Sequence, residues 1–355
     1  MSDRFALIIA NSEFDDDPKL SQLVAPSRDA EALAEILSDP NIGGFKVTLR
    51  VNETMQAVRR EIARLYQRKK KSDLLLLYYS GHGIKDDFGD LYLAVRDTEI
   101  DIVGATAIDA AFVRDQLDKS GSQRKVVILD CCHSGAFARG GAKAALGSSV
   151  GTQEAFAGRG YGRVILTASN AVEYAWEGDR LLGEAEKTSV FTHFLVEGLQ
   201  TGAADRNGDG RISLDELYDH VYEQVITSGR SKQTPQKWAQ KVEGEIIIAQ
   251  NPRPVVKPLP LELQQAIESP FAGVRQGAVS ELEHLLYGSD RGLTLAAHEA
   301  LTRLADDDSR RVSDAAARAL GISPPPVEIE KPPEPEPKQE LHPSLALKLL
   351  VEPQT

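Results

Sequence analysis

Two apolar runs in the sequence end in side chains that could carry out covalent chemistry on a carbonyl group. The run LLLLYY is followed by SGHG at residues 80–83, and the run VVIL is followed by DCCHSG at residues 130–135. An imidazole near a thiol can raise the thiolate fraction and deliver a proton to a leaving amine. If the two runs form neighbouring strands, their ends lie about 5 Å apart, so that His82 and Cys132 could act on one carbonyl. Taken singly, His82 could be an ordinary loop histidine and Cys132 a buried structural thiol. Their joint occurrence beside glycines favours catalysis.

Strand-like and helix-like patterns alternate through the first 250 residues and must position these two motifs. The predicted strands are 5–10, 46–51, 74–79, 125–130, 163–168 and 244–249; the predicted helices are 27–37 (capped by Ser27), 53–69, 108–120, 189–200 and 214–227. Continuous apolar strands between helices predict an α/β fold, with a mostly parallel sheet covered by helices on both faces. Sites in such sheets collect at the carboxyl ends of the strands, where both motifs fall.

Composition and charge restrict the class of protein. The 355 residues carry a net charge of −12, which disfavours nucleic acid as a partner and favours a basic peptide or protein. The only two cysteines are adjacent, so a disulfide framework is excluded and a reducing cytoplasm is expected. The apolar run at residues 6–10 is too short for a signal-peptide core or a membrane span.

The two motifs resemble those of the caspase-like cysteine peptidases, and most closely those of the bacterial branch near the metacaspases. Similar segments are LIIANSEF near the start and ILTASNAVEYAWE and SVFTHFL later, so that the resemblance spans residues 4–250. It implies that His82 is the general acid and base and that Cys132, directly before His-Ser-Gly, is the nucleophile. Cys131 stands where the family usually has serine, and we expect it to be buried. The resemblance also implies an oxyanion hole formed by the N–H groups of Gly83 and Cys132.

The same resemblance indicates the pocket for the substrate residue before the scissile bond. Its implied lining is Asp29, Ser80 and Asp130, with Glu173 and Trp176 as weaker candidates. Two carboxylates favour a guanidinium or an ammonium group, which predicts cleavage after Arg and less readily after Lys. Arg28, which replaces the usual asparagine, is the one residue that argues for an acidic substrate residue. Alternatively, Asp29 only supports a helix N-terminus and Asp130 only braces its loop.

A Gly/Ala/Ser-rich segment at 136–161 lies where caspase-like enzymes carry the loop between their large and small parts. It contains Arg139, Lys143 and Arg159, which the predicted pocket would accept. We expect this processing loop to be cut by the enzyme itself or by an upstream protease, and the cut to free the site.

The segment DRNGDGRISLDE at 205–216 fits the EF-hand calcium loop. Its expected ligands are Asp205, Asn207, Asp209, the Arg211 carbonyl, Ser213 and Glu216, with Gly210 at the sharp turn. EF-hands usually pair, and the sequence shows no second such loop, so the alternative is an Asp/Asn/Gly-rich turn without a metal. Bound calcium could order the helix at 214–227 and thereby tune the cleft.

The composition changes after the predicted peptidase domain at residues 1–250. Residues 251–260 form a Pro-rich linker, and 261–322 are helical, with a faint repeat at an offset of 38 residues that resembles HEAT repeats. A helical hairpin without repeat ancestry is the alternative. The Pro/Glu-rich tail at 323–355 is expected to be disordered.

Together these features predict a cytoplasmic cysteine endopeptidase with a Cys-His dyad that cleaves after Arg or Lys. It requires no cofactor for the chemistry, and calcium is left open as a regulator. The predicted partners are protein substrates with basic cleavage sites and an upstream activating protease, with no nucleic acid and no membrane. The resemblance adds a monomeric state and a bacterial stress or defence pathway. The alternatives are a catalytically idle caspase-like scaffold or interaction protein, and a thiol enzyme acting on a non-peptide acyl group.

Overall fold

The computed structural model describes residues 2–15, 17–133, 155–156, 161–168, 189–230 and 233–322, although for Cys132 and His133 it describes only the backbone. The chain elements below all lie within these ranges. The predicted tail at 323–355 and most of the predicted processing loop fall outside them.

A mostly parallel sheet forms the centre of the domain, as predicted. Its strands in chain order are β1 (Arg4–Ala10), β2 (Lys46–Val51), β3 (Leu74–Lys85), β4 (Leu91–Leu93), β5 (Ile108–Asp109), β6 (Arg124–His133), β7 (Arg163–Thr167) and, after the short strand β8 (Arg211–Ser213), β9 (Gln236–Gln240). The spatial order is β2-β1-β3-β6-β7-β9, with β9 antiparallel at the edge and with β4 and β5 extending from β3. The two strands that carry the motifs are therefore neighbours in the middle of the sheet.

Helices cover both faces of the sheet. The helices are α1 (Ala25–Ser38), α2 (Met55–Tyr66), the short α3 (Val103–Thr106), α4 (Ala110–Lys119), α5 (Val190–Thr201) and α6 (Leu214–Ser228). Alternate residues of β3 point to opposite faces. Leu76 and Tyr78 join the core under α1, α5 and α6, whereas Leu75 and Leu77 join the core under α2 and α4. A strand that is apolar at every position is thus buried on both sides, which explains its continuous hydrophobic run.

Several predicted boundaries differ from the structure. Ser27 lies inside α1, which begins at Ala25 with proline in its first turn, so the prediction of Ser27 as the cap was wrong. β3 continues six residues past Tyr79, since β4 and β6 both pair with its end. The last predicted strand appears as β10 (Ile247–Gln250), which pairs with β8 and not with the main sheet.

Helices α7 (Leu261–Ile267), α8 (Ala272–Leu286), α9 (Arg291–Leu304) and α10 (Arg310–Ala319) form a helical unit with an apolar cluster of its own. Ala278 and Ala316, which the faint repeat aligns, are 3% and 0% exposed. The relation to HEAT repeats and the domain boundaries stay predictions. Among the described residues, no helix is both long enough and apolar enough to cross a membrane.

Candidate active site

The backbone register of β3 and β6 places the two predicted catalytic residues side by side. The strands are parallel, and the Cα partner of His82 is Cys132. Adjacent strands are separated by about 4.8 Å. Two residues earlier in the same register, Ser80 pairs with Asp130. The sequence motifs 50 residues apart therefore meet at one carboxyl edge of the sheet.

The imidazole of His82 is held by a backbone carbonyl and an aromatic ring. Its Nε2 lies 2.8 Å from the carbonyl oxygen of Ser21, and its ring centroid lies 4.9 Å from that of Phe14. A carbonyl only accepts hydrogen bonds, so Nε2 carries the proton in the neutral ring, and Nδ1 is the basic nitrogen. Burial lowers the pKa of His82, and the hydrogen bond to Ser21 opposes this effect in part. The imidazole is therefore a neutral base at neutral pH.

The glycine before His82 is required by a neighbouring tyrosine. A Cβ on Gly81 would lie 2.7 Å from the hydroxyl oxygen of Tyr79. That hydroxyl lies 2.8 Å from the carbonyl oxygen of His82 and 2.7 Å from that of Ala94, so it fixes the backbone that carries the imidazole. The small residue thus makes room for a structural contact. Gly83 pairs with β4 and β6 and makes an interaction of its own, and its part in an oxyanion hole stays a prediction.

Two buried carboxyl groups lie close to this edge of the sheet. Asp29 on α1 and Asp130 on β6 are 1% and 8% exposed, and Ser80 is also buried. The backbone N–H of Ser189 donates to Oδ2 of Asp29 at 2.9 Å. The hydroxyl groups of Ser189 and Thr192 both donate to Oδ2 of Asp130. The three described residues of the predicted pocket therefore lie together, and the start of α5 contacts both carboxyl groups.

The carboxyl group of Asp29 is the unusual member of this group. Burial, and then repulsion by Asp130, raise its pKa to about 8, which the hydrogen bonds from Ser189 reduce only in part. Its Oδ1 is buried and has no hydrogen-bond partner. A buried polar atom without a hydrogen-bond partner is costly and is unusual in a folded protein.

Sequence reasoning missed three polar residues at this site. Ser189 and Thr192 stand in SVFT, and the signal was available, because a serine followed three residues later by threonine at a helix start can cap the helix and present two hydroxyls. Asn11, directly after β1, is fully buried, and neither polar atom of its side chain has a hydrogen-bond partner. Only the folded chain could identify Asn11, since orphaned polar atoms have no sequence signature.

The remaining predicted residues divide into two groups. Cys131 is buried, as expected from its place inside β6. Five residues lie outside the described ranges, and their predicted roles stay predictions: Arg139, Lys143 and Arg159 of the processing loop, and Glu173 and Trp176 of the pocket.

The EF-hand-like loop lies between α5 and α6, as predicted. Asp205 Oδ2 accepts from the N–H of Gly210 at 2.9 Å, and Asp209 Oδ1 accepts from the N–H of Arg211 at 2.8 Å. Glu216 accepts from the N–H and hydroxyl of Ser213 and so completes a capping box for α6. Within the described part of the chain, no three acidic, histidine or cysteine side chains converge closely enough to hold a metal.

A mostly parallel sheet between helices, with histidine and cysteine opposite each other on its two central strands, is the arrangement of a caspase-like domain. The family model of the caspase domain matches residues 3–246. The chain therefore belongs to the caspase domain family, a family of cysteine peptidases.

The solved structures with similar folds are distant in sequence. A structural-genomics protein from Geobacter sulfurreducens has 16% identity and a TM-score of 0.47, with 69% of this chain and 99% of that chain covered. Caspase-1 from Spodoptera frugiperda has 16% identity and a TM-score of 0.48, with 70% of this chain and 90% of that chain covered. The pro-form of that caspase gives 16% identity and a TM-score of 0.47, with the same coverage. No curated protein matches significantly.

Proposed function

We propose that the protein is a cysteine endopeptidase that cleaves after Arg, and less readily after Lys, with Cys132 as nucleophile and His82 as acid and base. The observation that carries this proposal is the pairing of His82 with Cys132 in the β3–β6 register. The buried Oδ1 of Asp29, which lacks a donor, supports the preference for a basic side chain.

Peptide-bond hydrolysis by Cys132 and His82 would proceed through a series of proton transfers between these two residues, the substrate and water. The Cys132 thiol gives its proton to Nδ1 of His82, and the thiolate sulfur adds to the scissile carbonyl carbon. The N–H groups of Gly83 and Cys132 bind the resulting oxyanion. His82 then returns the proton to the departing amine, and the C–N bond breaks. Water, deprotonated by the same imidazole, hydrolyses the thioester and regenerates the thiol. The Ser21 carbonyl keeps Nδ1 available throughout by holding the other nitrogen as N–H.

The pocket assigns different tasks to its two carboxyl groups. Asp130 accepts two hydroxyl hydrogen bonds on one oxygen and anchors the start of α5. Asp29 also supports that helix start, but its second oxygen is uncommitted, so we assign the recognition of the substrate cation to Asp29. A guanidinium placed there would ionise Asp29 and remove the cost of the orphaned acceptor.

The deciding experiment is a kinetic comparison of matched peptides with Arg, Lys or Asp before the scissile bond. We expect the order Arg, Lys, Asp in kcat/KM, and no cleavage by Cys132→Ala. The matched control is Cys131→Ala, which alters the adjacent buried thiol and should leave cleavage intact. A preference for Asp would overturn the assignment of the pocket, and no cleavage of any peptide would favour the idle scaffold.

We also propose that cleavage in the loop at 136–161 activates the enzyme, because Arg139, Lys143 and Arg159 match the predicted specificity. Intact-mass analysis of active protein should reveal a cut after one of them. Replacing all three by glutamine should block that cut. Full activity of the uncut triple variant would reject the idea.

Calcium binding at the loop 205–216 is a further part of the proposal. Asp205 Oδ1 is buried without a hydrogen-bond partner and the neighbouring side chains of the loop carry oxygen atoms, which supports a hard cation, although the described acidic side chains do not converge on one point. In paired EF-hands, the short strand of one loop pairs with that of the second loop. Here the strand of the loop, β8, pairs with β10 instead, so that a second loop is not needed to pair with it. The expected ligands are Asp205, Asn207, Asp209, the Arg211 carbonyl, Ser213 and Glu216.

Calcium titration followed by calorimetry and by thermal unfolding tests this site without any activity assay. We expect saturable binding and a raised melting temperature, both lost in Glu216→Gln. The control Asp219→Asn changes an exposed carboxylate on the same helix and should bind normally. The absence of heat and of any thermal shift in the unmodified chain would reject calcium binding. Equal activity in EDTA and in calcium would reject only its regulatory role.

A further inference from the structure

Ser189 is the residue that connects the two buried carboxyl groups of the pocket. Its N–H donates to Asp29 Oδ2 at 2.9 Å, and its hydroxyl donates to Asp130 Oδ2. The same hydroxyl oxygen accepts from the N–H of Thr192 at 3.1 Å, which caps α5. The single O–H of Ser189 is therefore committed to Asp130 and one of its lone pairs to the helix cap, so that the orientation of the hydroxyl is fixed.

Thr192 continues the network into the core. It is fully buried, and its hydroxyl donates to Asp130 Oδ2 at 2.6 Å. It therefore accepts from the hydroxyl of Tyr78, which lies 2.8 Å away. Each hydroxyl in this chain has one possible direction, so that Asp130 is held by two donors from one helix turn.

The position of α5 adds an electrostatic contribution. Ser189 is its N-cap, and the twelve-residue helix points its N-terminal end, with its partial positive charge, at both carboxyl groups. This charge offsets the mutual repulsion of Asp29 and Asp130. The hydrogen bonds from Ser189 act in the same direction, since they lower the pKa of both carboxyl groups, although burial keeps both pKa values above the ordinary 3.8.

From these contacts we infer that Ser189 is a positioning residue for substrate specificity, which orients Asp29 and Asp130 so that Asp29 Oδ1 stays directed at the substrate cation. The inference rests on the proposed function of Asp29 in the pocket. Ser189 does not touch the substrate; it acts through the two carboxyl groups. A capping role alone would stabilise α5 but would not affect substrate binding or its dependence on pH.

The test compares Ser189→Ala and Ser189→Thr in the full chain, with Asp109→Ala as the control. Asp109 caps α4 through a similar contact, to the N–H of Ala111 at 2.7 Å, but lies outside the pocket. For an Arg peptide, we expect Ser189→Ala to raise KM about tenfold with little change in kcat, as for a lost hydrogen bond to a charged group. Ser189→Thr should restore KM. An unchanged KM in Ser189→Ala would overturn the inference.

A second measurement works without substrate, so that it remains decisive if the proposed function fails. Hydroxyl donors stabilise an ionised carboxylate more than a protonated one. Ser189→Ala should therefore lower the melting temperature more at pH 9 than at pH 5, whereas Asp109→Ala should lower it equally at both. Equal losses in the two variants would show that Ser189 is only a cap. If no peptide is cut but the pH-dependent loss appears, the coupling to the carboxyl groups stands and the peptidase proposal fails.

Discussion

The ionisation of Asp29 can be measured through the stability of the protein, without substrate and without catalysis. Burial and repulsion by Asp130 raise the pKa of Asp29 from its ordinary 3.8 to about 8 in the folded chain. The folded protein therefore binds this proton more tightly than the unfolded chain does. The stability that the protonated carboxyl contributes is complete below pH 3.8 and falls as the pH rises towards 8. Above that pH it is lost.

The size of this effect follows from the interval between the two pKa values. At about 1.36 kcal/mol for each pH unit, the interval from 3.8 to about 8 corresponds to about 6 kcal/mol. Asp29→Asn keeps the shape of the side chain and an oxygen that can accept from the N–H of Ser189, but it cannot ionise. Relative to the unmodified protein, we expect the variant to gain about 4 kcal/mol of unfolding free energy between pH 5 and pH 9.

The assay is urea denaturation of both proteins at pH 5, 7 and 9, with the difference in unfolding free energy taken at each pH. Groups that titrate equally in both proteins cancel in that difference. The control Asp115→Asn removes an exposed carboxyl on α4, and its difference should not depend on pH. If the curves of Asp29→Asn and the unmodified protein run parallel, Asp29 is already ionised in the fold, and the account of a poised cation pocket is wrong.

Three further perturbations test the surrounding structure. Gly81→Ala should reduce cleavage and lower the melting temperature, since its Cβ would lie 2.7 Å from the Tyr79 hydroxyl oxygen; adding Tyr79→Phe should recover part of the stability, and no recovery would contradict the clash. Phe14→Ala should expose the imidazole of His82 and raise its pKa, because burial is what lowers it, so that the acidic limb of the pH–rate profile moves to higher pH. If the acidic limb does not move, burial by Phe14 is not what lowers the pKa of His82. Leu301→Ala should cost about 2–5 kcal/mol in urea denaturation, since this fully buried side chain fills the core of the helical unit. A change below 0.5 kcal/mol, roughly that of a surface site, would mean that this core is loosely packed.

The two central strands, β3 and β6, were predicted well from the sequence, because a strand that is buried on both faces is apolar at nearly every position. Continuous apolar runs identify both strands in a parallel sheet that is covered on both faces: Leu74–Tyr79 and Lys125–Asp130. The edge strand β9 was missed, since QKWAQ is half exposed and lacks an apolar run. β10 was found but placed in the wrong sheet, since strand pairing is a long-range contact that the local pattern does not encode.

By itself, the sequence determined the kinds of groups available: His82 and Cys132 at the ends of two apolar runs, two acidic residues that the family resemblance assigns to the pocket, and a loop rich in side-chain oxygen atoms. Residue types and local periodicity can be obtained directly from the sequence, and the resemblance to caspase-like peptidases rests on them. Only the tertiary structure decided the burial and the hydrogen-bond partners of each of those groups. It brought α5 over the sheet, so that Ser189 reaches residues 59 and 160 positions away in the chain. It committed Asp130 to hydroxyl donors and left one oxygen of Asp29 buried and unpaired. Desolvation and hydrogen-bond partners are properties of the packed surroundings, and the order of residues cannot specify them before the chain has folded.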